Sequence, residues 1–309
     1  QLPQLYALIA AQQELYLPVK QAEQTDFALW QPGCQVDLDT LHTVKSPKEL
    51  LFPQVENLAE FAYQDKKLRI TPSARADKPY VIFGVKACDL RSFTVLDKVF
   101  LAEPADEFYQ ARRNMATIVS LACTEPEQTC FCCNFDIKPQ AAGADIDAYL
   151  TADTMYLLVN TDKGQALADR LSCLLAAADE HDAQAVEQQA AFIAEQIAAL
   201  PLQSLPLPAY DVAITEKIFQ SPVWEKLYLS CLGCGTCTFV CPTCHCYDVQ
   251  DFDAGSSVSR FRCWDSCMFS DFTNMAHGNP RSTRLERFRQ RYMHKLTYFP
   301  QNNDGTYAC

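Results

Sequence analysis

Hydrophobic residues in the first two thirds of the chain form runs that predict buried strands separated by helices. Continuous apolar, β-branched runs occupy 80–85, 116–122 and 155–160, and such runs are typical of strands that are covered on both faces. Between the first two runs, residues 89–101 have the spacing of a helix. This arrangement predicts an α/β or α+β domain.

Further elements of this region follow from local patterns. The opening stretch LPQLYALIAAQQELY has helical periodicity, and FALWQP predicts a short strand before a turn at Pro32-Gly33. Beyond residue 160, DKGQALADRLSCLLAAA and AVEQQAAFIAEQIAAL combine good helix formers with apolar residues three and four apart. Two more helices are therefore expected before residue 200.

A proline-rich segment divides the chain into two predicted domains, 1–205 and 206–309. Pro201, Pro206 and Pro208 are too closely spaced for a helix or a central strand, so we place a linker near 200–212. Beyond it the strand signals disappear. DSCMFSDFTNMAHG and STRLERFRQRYMHKL are helical patterns separated by Asn279-Pro280, so the second domain is expected to be small and mainly helical.

Composition narrows the classes of function. The 309 residues carry a formal net charge of −12, the wrong sign for a protein that neutralises nucleic-acid phosphates. No apolar run reaches the length of about 18 residues that a membrane span requires. Sixteen cysteines in so large a chain favour metal sites in a reducing compartment over a disulfide framework, which predicts a cytoplasmic protein.

The strongest motif is CLGCGTCTFVCP. Cys231, Cys234, Cys237 and Cys241 have the C-x2-C-x2-C-x3-C-P spacing of iron–sulfur ligands, in which three thiolates bind one cluster. Gly233 and Gly235 keep the loop permissive. A structural zinc site or buried free thiols are the alternatives, but zinc sites favour two separated C-x2-C pairs. The spacing therefore predicts a [4Fe–4S] cluster.

The fourth cysteine of this motif predicts a second cluster. In two-cluster ferredoxins the fourth cysteine of such a run ligates the other cluster, so a partner run is expected. Cys309 is the candidate first cysteine of that run, which would place three more ligands beyond it. On this hypothesis Cys241 and Cys309 share the second cluster. The alternative is that Cys309 has no role in binding.

Four other cysteines accompany the motif. Cys244 and Cys246 flank His245, while Cys263 and Cys267 are four residues apart on the next predicted helix and would share one face. These cysteines could hold a further cluster or could be buried thiols packed beside clusters, and both interpretations remain open. His245 is expected to donate a hydrogen bond to sulfur or a carbonyl rather than to bind metal.

A second cysteine set lies in the first predicted domain. Cys88 and Cys123 directly follow two predicted strands, and Cys130 and Cys132 belong to the stretch CFCC. Because ligands gather at strand ends in open α/β sheets, these four thiolates are expected to converge on another [4Fe–4S] cluster. Irregular spacing also fits zinc or inert thiols. Cys34 and Cys173 belong to no cysteine motif and are interpreted as core or surface thiols.

The remaining sequence features do not point to a specific catalytic function. The helical pattern near the C-terminus places Arg284, Arg287 and Arg291 on one face, which favours a solvated surface; alternatively these cations offset cluster charge or dock an acidic partner. No G-x-G-x-x-G fingerprint, P-loop or Ser-His-Asp grouping is recognisable in the sequence. A catalytic residue is therefore not assigned.

These residues resemble a known family, the iron–sulfur electron-transfer subunits of anaerobic sulfite reductases and the similar beta subunits of cytoplasmic sulfhydrogenases. The matching stretches extend from about residue 40 to the end of the sequence: HTVKSPKELLFPQVE, FGVKACDLRSFTVLDKVF, FYQARRN, ACTEPEQTCFCCNFDIKP, CLGCGTCTFVCPTCHCYDVQD and WDSCMFSDFTNMAHGNPR. The resemblance therefore includes much more than the ferredoxin motif.

The resemblance implies an electron-transfer subunit. Its partners would be a catalytic subunit, either a sirohaem sulfite reductase or a nickel–iron hydrogenase, and a flavin-containing, NAD(P)H-oxidising subunit. It also implies a two-cluster ferredoxin domain whose second run starts at Cys309, and cysteine ligands at Cys88, Cys123, Cys130 and Cys132. Cys133 and Cys263 fall where the family has no cysteine, which puts a site built with Cys263 in doubt.

Three functional hypotheses follow. In the first, the chain relays electrons through its clusters and performs no bond chemistry itself. In the second, it is a self-sufficient sulfur or disulfide reductase that uses Cys244, Cys246 and Cys267. In the third, it is a zinc-stabilised interaction module. The number of predicted clusters favours the first.

Overall fold

The computed structural model describes residues 1–64, 66–151, 153–205, 207 and 212–309. The chain forms two compact units, and neither is continuous in sequence. The first comprises 1–47, 76–94 and 110–207, and the second comprises 48–75, 95–109 and 208–309. Of the predicted linker, Pro201 lies in a turn, whereas Pro206 and Pro208 fall outside the described residues.

The described residues form the following strands, in chain order: Glu14–Gln21 (β1), Gln24–Leu29 (β2), Val55–Gln64 (β3), Lys67–Pro72 (β4), Tyr80–Val85 (β5), Ala116–Leu121 (β6), Ile146–Leu150 (β7), Met155–Val159 (β8), Tyr247–Asp253 (β9) and Ser257–Trp264 (β10). They form these helices: Leu2–Ala10 (α1), Ala87–Phe100 (α2), Glu107–Met115 (α3), Asp162–Arg170 (α4), Glu180–Ala198 (α5), Val212–Phe219 (α6), Trp224–Leu227 (α7), Thr236–Phe239 (α8), Arg284–Met293 (α9) and Phe299–Asn302 (α10).

The first unit contains a six-stranded sheet in the order β2-β1-β5-β6-β7-β8. The four central strands run parallel, and β2 and β8 pair antiparallel at the edges. Every residue of β5 and β6 is buried, as their continuous apolar sequences predict. Tyr6 of α1 and Leu167 of α4 pack into the core over this sheet. The predicted strands at 80–85, 116–122 and 155–160 and the helix at 89–101 are confirmed, but β8 is an edge strand without a buried residue, so it is not covered on both faces.

The remaining predictions for this unit differ mainly in length. The opening helix ends at Ala10 and a strand begins at Glu14, because β1 pairs with both β2 and β5. The first of the two later helices ends at Arg170. The second is longer than predicted and begins at Glu180, where Asp179 forms a capping box with Asp182. Strand β7 was not predicted, because its five residues, IDAYL, form neither a continuous apolar run nor a regular apolar–polar alternation.

The second unit contains an antiparallel sheet in the order β4-β3-β10-β9. The prediction that strand signals end at the linker is wrong here, because β9 and β10 form a hairpin and β10 pairs with β3. All of β9 is exposed, so its sequence lacks the apolar alternation that marks a half-buried strand. The prediction of a helix over 265–278 is also wrong, because the helical structure in this segment is limited to the short 3-10 turn Asp271–Thr273.

A buried arginine joins segments that are distant in sequence. Arg262 of β10 is 2% exposed and its Nε donates to Glu56 of β3 at 2.8 Å, while its guanidinium also pairs with Asp106. Phe52, Phe100 and Tyr247 place their rings within 5.6 Å of the same guanidinium. These contacts explain why 48–75 and 95–109 belong to the second unit, although both segments precede the predicted boundary at 205/206.

Within the described part of the chain, no helix combines the length and the apolar composition that crossing a bilayer would require.

Candidate metal centres

A tight loop presents the first three cysteines of the ferredoxin motif. It follows a 3-10 turn over Tyr228–Ser230 and leads into the short helix α8. Gly233 and Gly235 have φ values of 73° and 77°, in the left-handed region that favours glycine. The amide of Gly233 donates to Cys231 Sγ at 3.4 Å, so the loop directs a backbone dipole at sulfur. Cys231 is partly buried, and Cys234 and Cys237 are exposed.

The fourth cysteine lies in a more buried polar environment. Thr243 Oγ1 lies 3.3 Å from Cys241 Sγ, and Lys295 Nζ donates to the same sulfur at 3.4 Å. A hydrogen bond from the Cys244 thiol, with the positive charges of Lys295 and Arg291, holds the pKa of Cys241 well below its ordinary value. The same thiol contact and burial raise the pKa of Cys244. The site thus stabilises a thiolate at Cys241.

Cys246 and Cys267 form a second close pair of sulfurs. The hydrogen bond from Cys246 lowers the pKa of Cys267 to about 6, and it raises the pKa of Cys246. The charge of Cys267 also acts on Cys237, which belongs to the ferredoxin loop. Cys244, Cys246 and Cys267 are therefore gathered beside the motif, as one of the two open interpretations requires.

Cys263 does not share a helical face with Cys267. It lies on β10 opposite Asp248 and Val55, and burial together with Asp248 and Asp265 raises its pKa. Cys267 lies in the turn after that strand. The helical prediction is wrong because β10 pairs on both sides, so a four-residue spacing no longer places two side chains together.

Cys309 lies close to Cys241. Ala308 directly before it accepts hydrogen bonds from Lys295 Nζ and Thr243 Oγ1, both at 2.7 Å, which holds this end of the chain against the cysteine segment. Burial raises the pKa of Cys309, and the charges of Lys295 and Cys241 act on it. This juxtaposition is the one that a cluster shared by Cys241 and Cys309 requires.

Three cations surround the same segment: Lys48 and Lys295 are buried, and Arg291 is partly buried. Lys48 is 1% exposed, and its Nζ donates to the carbonyls of Cys241 and Cys244 at 2.7 and 2.9 Å. Arg291 donates to Cys244 Sγ at 3.3 Å and to the Cys237 carbonyl at 2.7 Å. With Lys295, these side chains place positive charge where thiolates would carry negative charge. The solvated face favoured for the arginines is therefore wrong for Arg291.

His245 behaves as the sequence predicts. Its Nδ1 lies 3.1 Å from the carbonyl oxygen of Thr243, the distance of a hydrogen bond to backbone. Burial, reinforced by the nearby His294, lowers the pKa of His245 to about 4, so the ring is neutral at pH 7. A neutral ring with Nδ1–H donating to the carbonyl accounts for the contact.

The cysteines of the first unit also converge. Because β5 and β6 are parallel neighbours, Cys88 and Cys123, which follow them, come to the same edge of the sheet. Cys123 packs with Cys132 in a small apolar cluster, and its pKa is raised by burial and by the charge of Cys130. The charges of Cys123 and Cys132 likewise act on Cys88. All four predicted positions therefore lie in one neighbourhood.

The nearby charges and the other thiols of this unit define that neighbourhood further. Lys86, buried and donating to the Leu38 carbonyl at 3.3 Å, interacts with the charges of Cys123 and Cys88. Cys133 and Cys173 are exposed, and Cys34 packs at the edge of the apolar core. The four cysteines thus have a buried cation beside them, as a thiolate site requires.

The donor set bears on the choice between iron–sulfur and zinc. Structural zinc sites favour two separated C-x2-C pairs on one ion, whereas Cys231, Cys234 and Cys237 follow one another at two-residue intervals on a single loop. Among the described residues, the only group of three or more His, Cys, Asp or Glu ligand atoms within 4.8 Å of one another is Asp179, His181 and Asp182. Thiolates in the succession C-x2-C-x2-C fit a four-iron cluster.

Residues 230–309 match the 4Fe-4S dicluster domain family. The matched region contains the cysteine motif, its associated cations and Cys309. The protein is thus an iron–sulfur protein whose C-terminal region is a 4Fe–4S dicluster domain.

A curated relative, sulfhydrogenase 2 subunit beta of Pyrococcus furiosus, is 30% identical over 99% of this chain and 89% of its own length. The chain belongs to the sulfhydrogenase beta-subunit family, as the resemblance indicated, and it is an iron–sulfur subunit of an oxidoreductase. No solved structure matches the chain.

Sequence reasoning missed two of the three cations. Lys48 precedes the motif by more than 180 residues, and nothing in SPKELLF marks it as a neighbour of sulfur. Lys295 follows Arg291 by one helical turn, which is the signal that could have found it.

Proposed function

We propose that the chain is the electron-transfer subunit of a multisubunit cytoplasmic oxidoreductase. It would relay electrons between a catalytic subunit of the hydrogenase or sulfite reductase type and a flavin-containing, NAD(P)H-oxidising subunit. The observation that carries this proposal is the gathering of Cys237, Cys241, Cys267 and Cys309 around buried cations inside the dicluster region. Family membership supports an assembly of several subunits.

We assign the ligands as follows. Cys231, Cys234 and Cys237 hold one [4Fe–4S] cluster, and Cys241 and Cys309 contribute to a second. A third is held by the cysteines of the first unit, which are Cys88, Cys123, Cys130 and Cys132. Bound clusters of this kind supply one-electron storage at tunable potentials. The chain's own residues hold the thiolates, bury them and surround them with fixed charge.

One observation favours a second candidate function. Cys246 and Cys267 lie in contact, and the lowered pKa of Cys267 gives it thiolate character near neutral pH. Such a pair could reduce a disulfide or polysulfide: the two thiols become one disulfide, and the substrate sulfur–sulfur bond takes up the two electrons and two protons. Cys244 lies beside this pair. The alternative is therefore a sulfur or disulfide reductase.

The deciding experiment is anaerobic purification from the native source, followed by analysis of iron, sulfide and zinc and identification of co-purifying subunits. We expect about twelve irons per chain, the sum of three four-iron clusters. About eight irons would remove the cluster of the first unit. Zinc without sulfide would overturn the proposal.

An activity assay separates the two candidates. The purified chain, given an artificial electron donor, is expected to undergo reversible reduction without consuming sulfite, polysulfide or a disulfide. Turnover of a disulfide that is lost in Cys267→Ser, but retained in Cys263→Ser, would establish the reductase instead.

A further inference from the structure

Two cations beside the dicluster cysteines, the buried Lys295 and the partly buried Arg291, have sulfur as their anionic neighbour. Among the described residues, neither Arg291 nor Lys295 forms an ion pair with a carboxylate. Instead, Lys295 Nζ donates to Cys241 Sγ at 3.4 Å, and Arg291 donates to Cys244 Sγ at 3.3 Å. A buried cation requires compensation, and here the cysteine thiolates supply it.

The two cations are not distributed evenly over the cysteines. Lys295 is 8% exposed. Its Nζ donates hydrogen bonds to Cys241 Sγ at 3.4 Å, to Thr243 Oγ1 at 2.6 Å and to the Ala308 carbonyl at 2.7 Å. It therefore lies between Cys241 and Cys309. Arg291 contacts Cys244 Sγ and the Cys237 carbonyl, and so faces both parts of the motif.

This asymmetry has a redox consequence. Reduction adds one negative charge to an iron–sulfur site, so a nearby buried cation stabilises the reduced form and raises its potential. The effect weakens with distance and with solvent screening. Around Cys231 and Cys234 the loop contributes the Gly233 amide and the Thr236 hydroxyl. The partly buried Arg284 runs beside Gly233, but its guanidinium lies over the Tyr228 ring, 5.3 Å from the centroid.

We propose that Lys295 is a positioning residue that raises the reduction potential of the cluster at Cys241 and Cys309 above that of the cluster at Cys231, Cys234 and Cys237. The inference rests on the ligand assignment of the proposed function. Because the cluster with the higher potential is reduced first, the electron resides preferentially at the site beside Lys295.

The test is an anaerobic redox titration of the holoprotein followed by electron paramagnetic resonance. Lys295→Met is expected to reduce the equilibrium constant for one-electron reduction of the cluster at Cys241 and Cys309 about tenfold, a shift of about 59 mV to lower potential. Lys295→Arg should keep most of the wild-type potential, because arginine retains the positive charge. A Cys234→Ser variant assigns the signals, since it perturbs the other cluster.

Arg289→Met is the matched control. Arg289 is on the same helix as Arg291, but its guanidinium lies 3.7 Å from the ring centroid of Phe219. The variant removes the same charge from the protein without touching the cysteine segment. Equal shifts in Arg289→Met and Lys295→Met, or an unshifted potential in Lys295→Met, would overturn the inference.

Two outcomes keep the inference separate from the proposed function. If wild-type protein lacks iron and sulfide, the proposed function fails and no potential exists to compare. If the wild type shows two titrating signals, the proposed function stands and the variants decide this inference alone. Should Lys295→Met prevent cluster incorporation, Lys295→Gln carries the test, because it removes the charge but keeps a hydrogen-bond donor: a shift of the Cys241 and Cys309 cluster to lower potential supports the inference, and an unchanged potential overturns it.

Discussion

At the scale of single residues, neighbouring side chains of the same type have different environments. Cys132 is partly buried near Cys123 and Cys130, and burial raises its pKa to about 11. Cys133, the next residue, is exposed. Cys132 also packs in the apolar cluster of Cys123, which does not include Cys133, so of these two neighbours only Cys132 is assigned as a ligand. Cys133 can therefore serve as the control for substitution of Cys132.

Cys132→Ser is expected to lower the iron content from about twelve to about eight atoms per chain, because it removes one ligand of a four-iron site. Cys133→Ser should leave the content unchanged. Iron and sulfide analysis of anaerobically purified variants measures both. Equal iron in the two variants would contradict the ligand assignment in the first unit.

Gly235 permits a second prediction at this scale. A Cβ at this position would lie 2.4 Å from the Phe269 ring, and the backbone is left-handed with φ of 77°. Gly235→Ala therefore combines a backbone cost of about 1–2 kcal/mol with a steric clash in the ligand loop. We expect markedly reduced iron in the dicluster region.

Gly255→Ala is the control for this substitution. Gly255 has φ of 84°, but a Cβ there would meet no atom within 4 Å. It should therefore lower stability through backbone strain alone and retain full iron. Comparable iron loss in both variants would show that strain, rather than the Phe269 contact, limits cluster binding.

At the scale of elements, β10 organises the second unit. It pairs with β3 and β9, and Arg262 on it reaches Glu56 and Asp106. Trp264, at its end, stacks on Phe52 and places its ring 4.1 Å from Lys48 Nζ. The strand thereby links the early segment 48–75 to the cysteine region that follows.

Arg262→Met is expected to destabilise the protein by about 3–5 kcal/mol, because it removes the buried guanidinium that pairs with Glu56 and Asp106. Anaerobic urea unfolding of the holoprotein, followed by circular dichroism, measures the change. Arg260→Met on the same strand removes an ion pair with Asp251 whose side chains are about half exposed, and should have little effect. Similar losses in the two variants would contradict a special role for the buried triad.

At the scale of the whole molecule, the two compact units depend on different interactions. The six-stranded sheet has a continuous apolar core that includes Leu17, Val81 and Val119. In the second unit, 231–246 contains one short helix, and its cations and thiols contact one another. Metal should therefore matter more to the local stability of the second unit.

Removal of iron is expected to expose the backbone of 230–246 to hydrogen exchange while β5 and β6 remain protected. Without bound clusters, Arg291 and Lys295 lose most of their compensating negative charge. Hydrogen exchange with mass spectrometry on metal-loaded and metal-depleted protein measures this. Uniform deprotection of both regions would show that the sheet also depends on metal.

The sequence predicted well where the signal is local. Continuous apolar runs identified β5, β6 and β8, and cysteine spacing identified the dicluster region. It failed for β9, which is exposed along its whole length, and for β10, which pairs with the distant strand β3. Both strands are stabilised by pairing rather than by their own pattern.

By itself, the sequence determined two of the four parallel strands, β5 and β6, as well as the cysteine motif and the family, because apolar periodicity and ligand spacing are properties of short segments. Only the tertiary structure decided that Lys48 lies against Cys241 and Cys244, that Cys263 and Cys267 separate, and that segments 48–75 and 95–109 join the second unit. These contacts join residues far apart in the chain, and no local pattern records which distant partner satisfies a buried charge.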